Sequence, residues 1–217
     1  MAHMQRWWRI CFVLGLATIA TVGWFATRTV PDCGVPMDAP MIVFELATSQ
    51  AELGTVLDCR PRLQELDQQN IVDLSLFIWA YGGFLLAFAL AAGVRPWVVI
   101  SLTAGIVIGD LVETFGLRSI SAAWPAFDPA ALLPLMVSAR LKFILIGALM
   151  IEGGWRLSQS GQRITGGIIA VGGIGCIAVL FDAGRIASAL TAAGWLAILV
   201  LAMLRGFRRP VPTSPGA

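Results

Sequence analysis

The residues best placed for chemistry are two carboxylates set in an apolar stretch. Residues 108–118 read I-G-D-L-V-E-T-F-G-L-R, with Asp110 and Glu113 as the acids. Their i, i+3 spacing puts both on one face of a helix. Ionisable groups inside a membrane-spanning segment are costly, and they usually face a bundle interior, a partner charge or a water-filled cavity. The sequence offers partners. Asp73 opens another apolar run, Arg140 and Lys142 enter a third, Arg118 closes the run holding the acids, and Asp182 and Arg185 flank a later turn.

The chain of 217 residues is 58% hydrophobic and only 13% charged, about half the charge of a soluble domain. Several apolar runs reach the roughly 20 residues that a bilayer crossing needs. The expected class is an all-α polytopic membrane bundle of about six transmembrane helices with a small extracytoplasmic subdomain. The formal net charge of +2 is small and the basic residues are dispersed, so nucleic acid is not an expected partner. Membrane lipids are, together with a second copy of the chain or other membrane subunits.

The start, Met-Ala-His-Met, reads as a tag remnant, which would leave the chain without a native histidine, since His3 is the only one. Histidine is the commonest metal ligand and general base. Haem held by two histidines, di-iron centres and histidine triads are therefore not expected, and neither a metal nor a cofactor is implied. The cysteines at 11, 33, 59 and 176 form no C-x-x-C pair, which argues against a thioredoxin-type or zinc site.

Residues 1–9 read as a cytoplasmic start and 10–27 as the first transmembrane helix. The basic flank before 10–27 also suits a signal peptide, but no small-x-small cleavage site stands near 25–29. Residues 28–70 are the expected extracytoplasmic subdomain, and 30–70 within it form the one sizeable hydrophilic segment, with seven acids against Arg60 and Arg62. Within it, 41–47 alternates weakly, as a short strand would. Ser49 with Glu52 has capping-box spacing, and Pro61 suits the first turn of a further helix. Cys33 and Cys59 fall in this segment, where an oxidising compartment would bridge them at a gain of roughly 3 kcal/mol; two free thiols are the alternative.

A five-helix region follows over 71–204, and 205–217 reads as a cytoplasmic tail. The spans run at about 71–93, 97–117, 138–157, 164–183 and 186–204, with 131–137, interrupted by Pro134, lying along the interface. Both termini then lie inside. The inner ends collect eight arginines (6, 9, 95, 156, 163, 205, 208 and 209) and one acid, Glu152, as the positive-inside rule expects.

At 1.5 Å per residue Asp110 lies roughly 20 Å from the inner interface. With this topology Asp73, Asp110, Glu113, Arg118, Arg140, Lys142, Asp182 and Arg185 share one layer of the outer leaflet. Arg140 and Lys142 are two residues apart and point to different faces, so Lys142 is the expected partner of the acids while Arg140 reaches toward headgroups. Trp79 and Tyr81 are candidates for an aromatic wall. The glycines of 164–183 suit either an oligomer face or close packing within one bundle.

The segments Phe44-Glu-Leu, Asp73 with Phe77 and Tyr81, Gly-Asp-x-x-Glu at 109–113 and Lys142-Phe143 resemble a family of small bacterial polytopic membrane proteins. The resemblance spans about 41–157 and brings no established activity. It implies only that these polar positions belong together; the expected location is a bacterial inner (plasma) membrane. The acid pair also looks like that of sterol-isomerase and sigma-2-type bundles, which hold cationic ligands between acids and aromatic walls. Three functions follow as expectations. The first is binding or transport of a small molecule, lipid or ion through Asp73, Asp110, Glu113 and Lys142. The second is an enzyme on lipid-linked substrates, and the third an accessory subunit of a membrane complex.

Overall fold

A computed structural model describes residues 2–34, 37, 40–181 and 185–208, and among these every regular element is helical. Helix α1 (Ala2–Thr27) is followed by three short helices, α2 (Pro40–Leu46), α3 (Gln50–Leu57) and α4 (Arg60–Val72). A π-helical turn over Asp73–Phe77 joins α4 to α5 (Ile78–Ala91) without a break. Then come α6 (Pro96–Ala123), α7 (Leu132–Gln159), α8 (Arg163–Ala178) and α9 (Arg185–Gly206). Among the described residues five stretches are long and apolar enough to cross a membrane: His3–Thr27, Arg60–Ala91, Pro96–Ala123, Pro129–Gln159 and Arg185–Gly206. Arg163–Ala178 is apolar but shorter.

These six close into a ring, α1–α5–α6–α7–α8–α9, with α9 returning to α1. Its centre is packed by side chains such as Phe84, Phe88, Met150 and Ile198. The ring closes because α7, α8 and α9 approach one another at glycines. A Cβ on Gly147 would come within 2.6 Å of the Gly173 carbonyl oxygen, and one on Gly172 within 2.6 Å of Gly194 Cα. At such distances only glycine fits. These glycines are thus used inside the chain. At the other end of the sequence Arg9 Nε donates to the Gly206 carbonyl at 2.8 Å, which ties α1 to the last turn of α9.

One end of the ring is capped by α2–α4. Phe44, Leu53, Val56, Leu57 and Leu66 bury against Leu117, Ile120 and Leu135 of α6 and α7. The capping box forms as its spacing predicts: the Ser49 hydroxyl accepts from the Glu52 N–H at 3.2 Å. The Glu52 carboxylate reaches back one residue further than expected, taking the Thr48 N–H at 2.6 Å. Cys33 and Cys59 are bridged, with Cα atoms 6.2 Å apart. Arg62 fills the middle of the cap at 1% exposure.

Three local expectations are corrected. The stretch at 41–47 is no strand: Pro40–Leu46 is helical, and Phe44 is completely buried. Seven residues with one strongly buried position are too few for periodicity to separate the two states. The segment at 131–137 does not lie apart from the next helix. Pro134 sits in the first turn of α7, where its missing N–H breaks no hydrogen bond, and the helix runs unbroken over Leu132–Gln159. The run expected to reach 183 leaves the helix after Ala178, where Leu180 and Phe181 donate to carbonyls three residues back.

Candidate functional site

Lys142 projects from α7 into the capped end of the ring, where it is 7% exposed. Its ammonium donates to Asp110 Oδ1 at 2.9 Å and Glu113 Oε1 at 2.8 Å, both from α6. Helical spacing explains the pair: Asp110 and Glu113 lie one turn apart and present both carboxylates to one point. A third carboxylate arrives from outside the ring. Glu45 of α2 accepts from Lys142 Nζ at 3.4 Å, so the cap and the ring meet at this lysine. The three N–H bonds of the ammonium are thereby matched by three acids.

The same acids organise a tyrosine. Tyr81, buried at 2% exposure in α5, donates its hydroxyl to Asp110 Oδ2 at 2.5 Å. Asp73, in the π-helical turn, accepts from the Thr114 hydroxyl at 2.8 Å. Such turns widen a helix by one residue, and they recur at functional sites because they re-aim side chains. Three carboxylates (Glu45, Asp110 and Glu113) thus meet one ammonium, and a fourth, Asp73, is held nearby by Thr114.

Beside this cluster lies a cavity of about 400 Å³. Glu45, Asp73, Asp110 and Lys142 line its polar end, while Phe25, Phe77, Tyr81 and Trp195 form much of its apolar wall. The rings run in a row, with centroids 5.6 Å apart from Phe25 to Phe77, 5.0 Å from Phe77 to Tyr81 and 6.0 Å from Tyr81 to Trp195. Two of the lining residues carry a buried donor without a partner, Asn70 Nδ2 and Trp195 Nε1.

The structure therefore brings Asp73, Asp110, Glu113, Lys142 and Tyr81 together. Trp79 does not join them. It is 55% exposed and its indole donates to the Leu74 carbonyl at 3.1 Å. Two residues from Tyr81 on a helix, it points to the opposite side. Arg118 turns away as well, pairing with Asp67 at 3.1 Å. Arg140 donates to the Met136 carbonyl at 3.0 Å, and its charge bears on Glu52. Arg185 begins α9 and does not line the cavity. Asp182 lies outside the described residues.

Sequence reasoning did not single out Glu45, Asn70 or Trp195 as site residues. Glu45 stands among six other acids in a polar segment, where an acid carries no signal, although it belongs to the Phe44-Glu-Leu motif. Trp195 read as a packing residue, and Asn70 as the end of a loop. Among the described residues no group of three or more His, Cys, Asp or Glu side chains is placed to hold a metal ion. No family model matches the chain, and no curated protein or solved structure does either. What the protein does must be read from the site itself.

Proposed function

We propose that this is a multi-pass protein of a bacterial inner membrane that binds or carries a small, mostly apolar molecule in the cavity beside Lys142. The length and apolarity of the helices support the embedding. The arginines at 6, 9, 95, 156, 163, 205 and 208 collect at the ends opposite the cap, which supports cytoplasmic termini and a cap on the outer side. The cavity then opens within the outer leaflet, where apolar molecules partition.

The observation that carries the reading is the pairing of cavity and cluster. A cavity of about 400 Å³ lies within the range of roughly 300–1,000 Å³ typical of small-molecule sites. A buried ion cluster used only for packing has no need of one. Lys142 and its carboxylates close the polar end and hold Tyr81 in the wall, and the aromatic row supplies the apolar contact. Binding is favoured over catalysis because every N–H of Lys142 is already engaged with a carboxylate. The ammonium is thus not free to serve as an acid or a nucleophile.

Native mass spectrometry from a mild detergent tests this. The wild-type protein should retain a discrete small molecule at about one per chain. Asp110→Asn should shed it, because Asp110 positions both Lys142 and Tyr81. A wild-type protein that emerges bare under conditions that preserve its fold overturns the reading.

A further inference from the structure

The proposed binding site needs a way in, and the cavities at the capped end point to one. A second, smaller cavity of about 170 Å³ lies against the first. Phe25, Met41, Ile42 and Gln69 line both. Residues from α1, α2 and α4 border two cavities together only where the two are neighbours, so these side chains form the partition. The rest of the smaller cavity is made by Arg28, Val30 and Pro40. Arg28 follows the last residue of α1 and its side chain is 37% exposed, so this cavity reaches the surface just beyond the apolar span His3–Thr27.

The partition can open without unfolding anything. Met41 and Ile42 are half-buried side chains of the short helix α2. The helix itself is anchored, since Phe44 is completely buried in the cap and Glu45 reaches Lys142 at 3.4 Å. Rotation of side chains is therefore enough, and methionine, unbranched with three rotatable bonds, suits that place. The opposite direction is closed. Phe84, Met150 and Ile198 each lie one turn beyond a lining residue (Tyr81, Ile146 and Trp195), and all three are buried in the ring.

We infer that the smaller cavity is the vestibule of the binding site, with Met41 and Ile42 as the gate between the two. The occupant enters at the level of the lipid headgroups, between the end of α1 and the cap, and passes these two side chains to reach the aromatic row. The inference rests on the proposed binding role and adds the route to the site. A competing route, from the lipid beside α9, would leave the vestibule without a part in entry.

The test follows entry directly, with N-ethylmaleimide as a small uncharged probe of the full chain in mild detergent. Thr191→Cys puts a thiol on the α9 wall of the large cavity, at a residue that does not line the smaller one. Its modification is timed by mass spectrometry and located by peptide mapping, which separates it from Cys11 and Cys176. Pro40→Trp, which adds bulk at a residue lining only the smaller cavity, should slow that modification about 3- to 10-fold. Met41→Ala should speed it. Ser188→Trp, at an exposed position of α9 one turn before Thr191, should leave it unchanged. Melting temperatures establish that each variant is folded. An unchanged rate in folded Pro40→Trp overturns the inference, and slowing by Ser188→Trp in its place puts the entry beside α9. A thiol that stays unmodified even with Met41→Ala overturns it as well. Each of these results leaves the binding role to native mass spectrometry, so the route can fall while the site stands.

Discussion

Two cations are buried at the capped end of this protein, and their surroundings differ. Arg62 in the cap is 1% exposed and donates to backbone oxygens from separate segments: to the Pro31 carbonyl at 2.8 Å, to the Thr55 carbonyl at 2.8 Å and to the Asp32 carbonyl. Lys142 in the ring is 7% exposed and pairs with three carboxylates, with its ammonium 5.1 Å from the centre of the Phe143 ring. Arginine's planar fork suits the first task, since several fixed donors can satisfy carbonyls from separate segments at once. The compact ammonium suits the second, as a point charge on which several acids converge. Arg62 ties the chain before α2, the end of α3 and the start of α4 into one unit beside the Cys33–Cys59 bridge. Lys142 does more than tie elements together, because its cluster closes one end of a cavity.

That difference predicts unequal responses to the same substitution. Lys142→Met leaves three carboxylates facing one another without their cation. Removing one partner of a buried ion cluster costs about 3–5 kcal/mol, so the melting temperature should fall sharply. Adding Asp110→Asn and Glu113→Gln should restore much of it, because the repulsion is then gone. Arg62→Met leaves the Pro31, Asp32 and Thr55 carbonyl oxygens without this donor, at about 1–3 kcal/mol. A larger loss for Arg62→Met than for Lys142→Met, by thermal unfolding in the same detergent, would break the comparison.

The smallest effect belongs to pH. The Glu52 carboxyl is held below its ordinary value, first by the Thr48 backbone N–H and then by the Thr48 hydroxyl. A carboxyl lowered in the folded state stabilises above its unfolded value, and the contribution is lost as pH falls from about 4.5 through the lowered folded value. Glu52 is mostly solvated, so solvent screening limits this to a few tenths of a kcal/mol. Glu52→Gln should flatten that part of the acid limb of the stability curve. An unchanged acid limb would show that the capping box adds nothing measurable to the cap.

Part of the site was legible in the sequence for a physical reason. Charges within apolar spans are rare because they are costly, so Asp110, Glu113 and Lys142 stand out, and helical spacing leaves room for only one of Arg140 and Lys142 beside the acids. The same spacing rule, applied to residues 79 and 81, separates Tyr81 from Trp79. Glu45 shows the opposite case. It comes from a hydrophilic segment, and only the fold of α2 across the ring brings it to Lys142. Asn70 and Trp195 come from separate helices to line the same cavity, and that is visible only with coordinates. For the helices, long runs gave a clear signal, while the seven residues of α2 and the proline in the first turn of α7 did not. Local pattern is weakest where one buried side chain or one helix terminus decides the outcome.

The central claim is that the cavity beside Lys142 is where the bound molecule sits. Its most direct test is native mass spectrometry of Ile146→Trp, which places a larger side chain into the cavity wall one helical turn from Lys142. The account predicts a folded protein that has lost the molecule retained by the wild type. Full retention of the same molecule in a folded Ile146→Trp protein would contradict it, because the molecule would then be bound somewhere else.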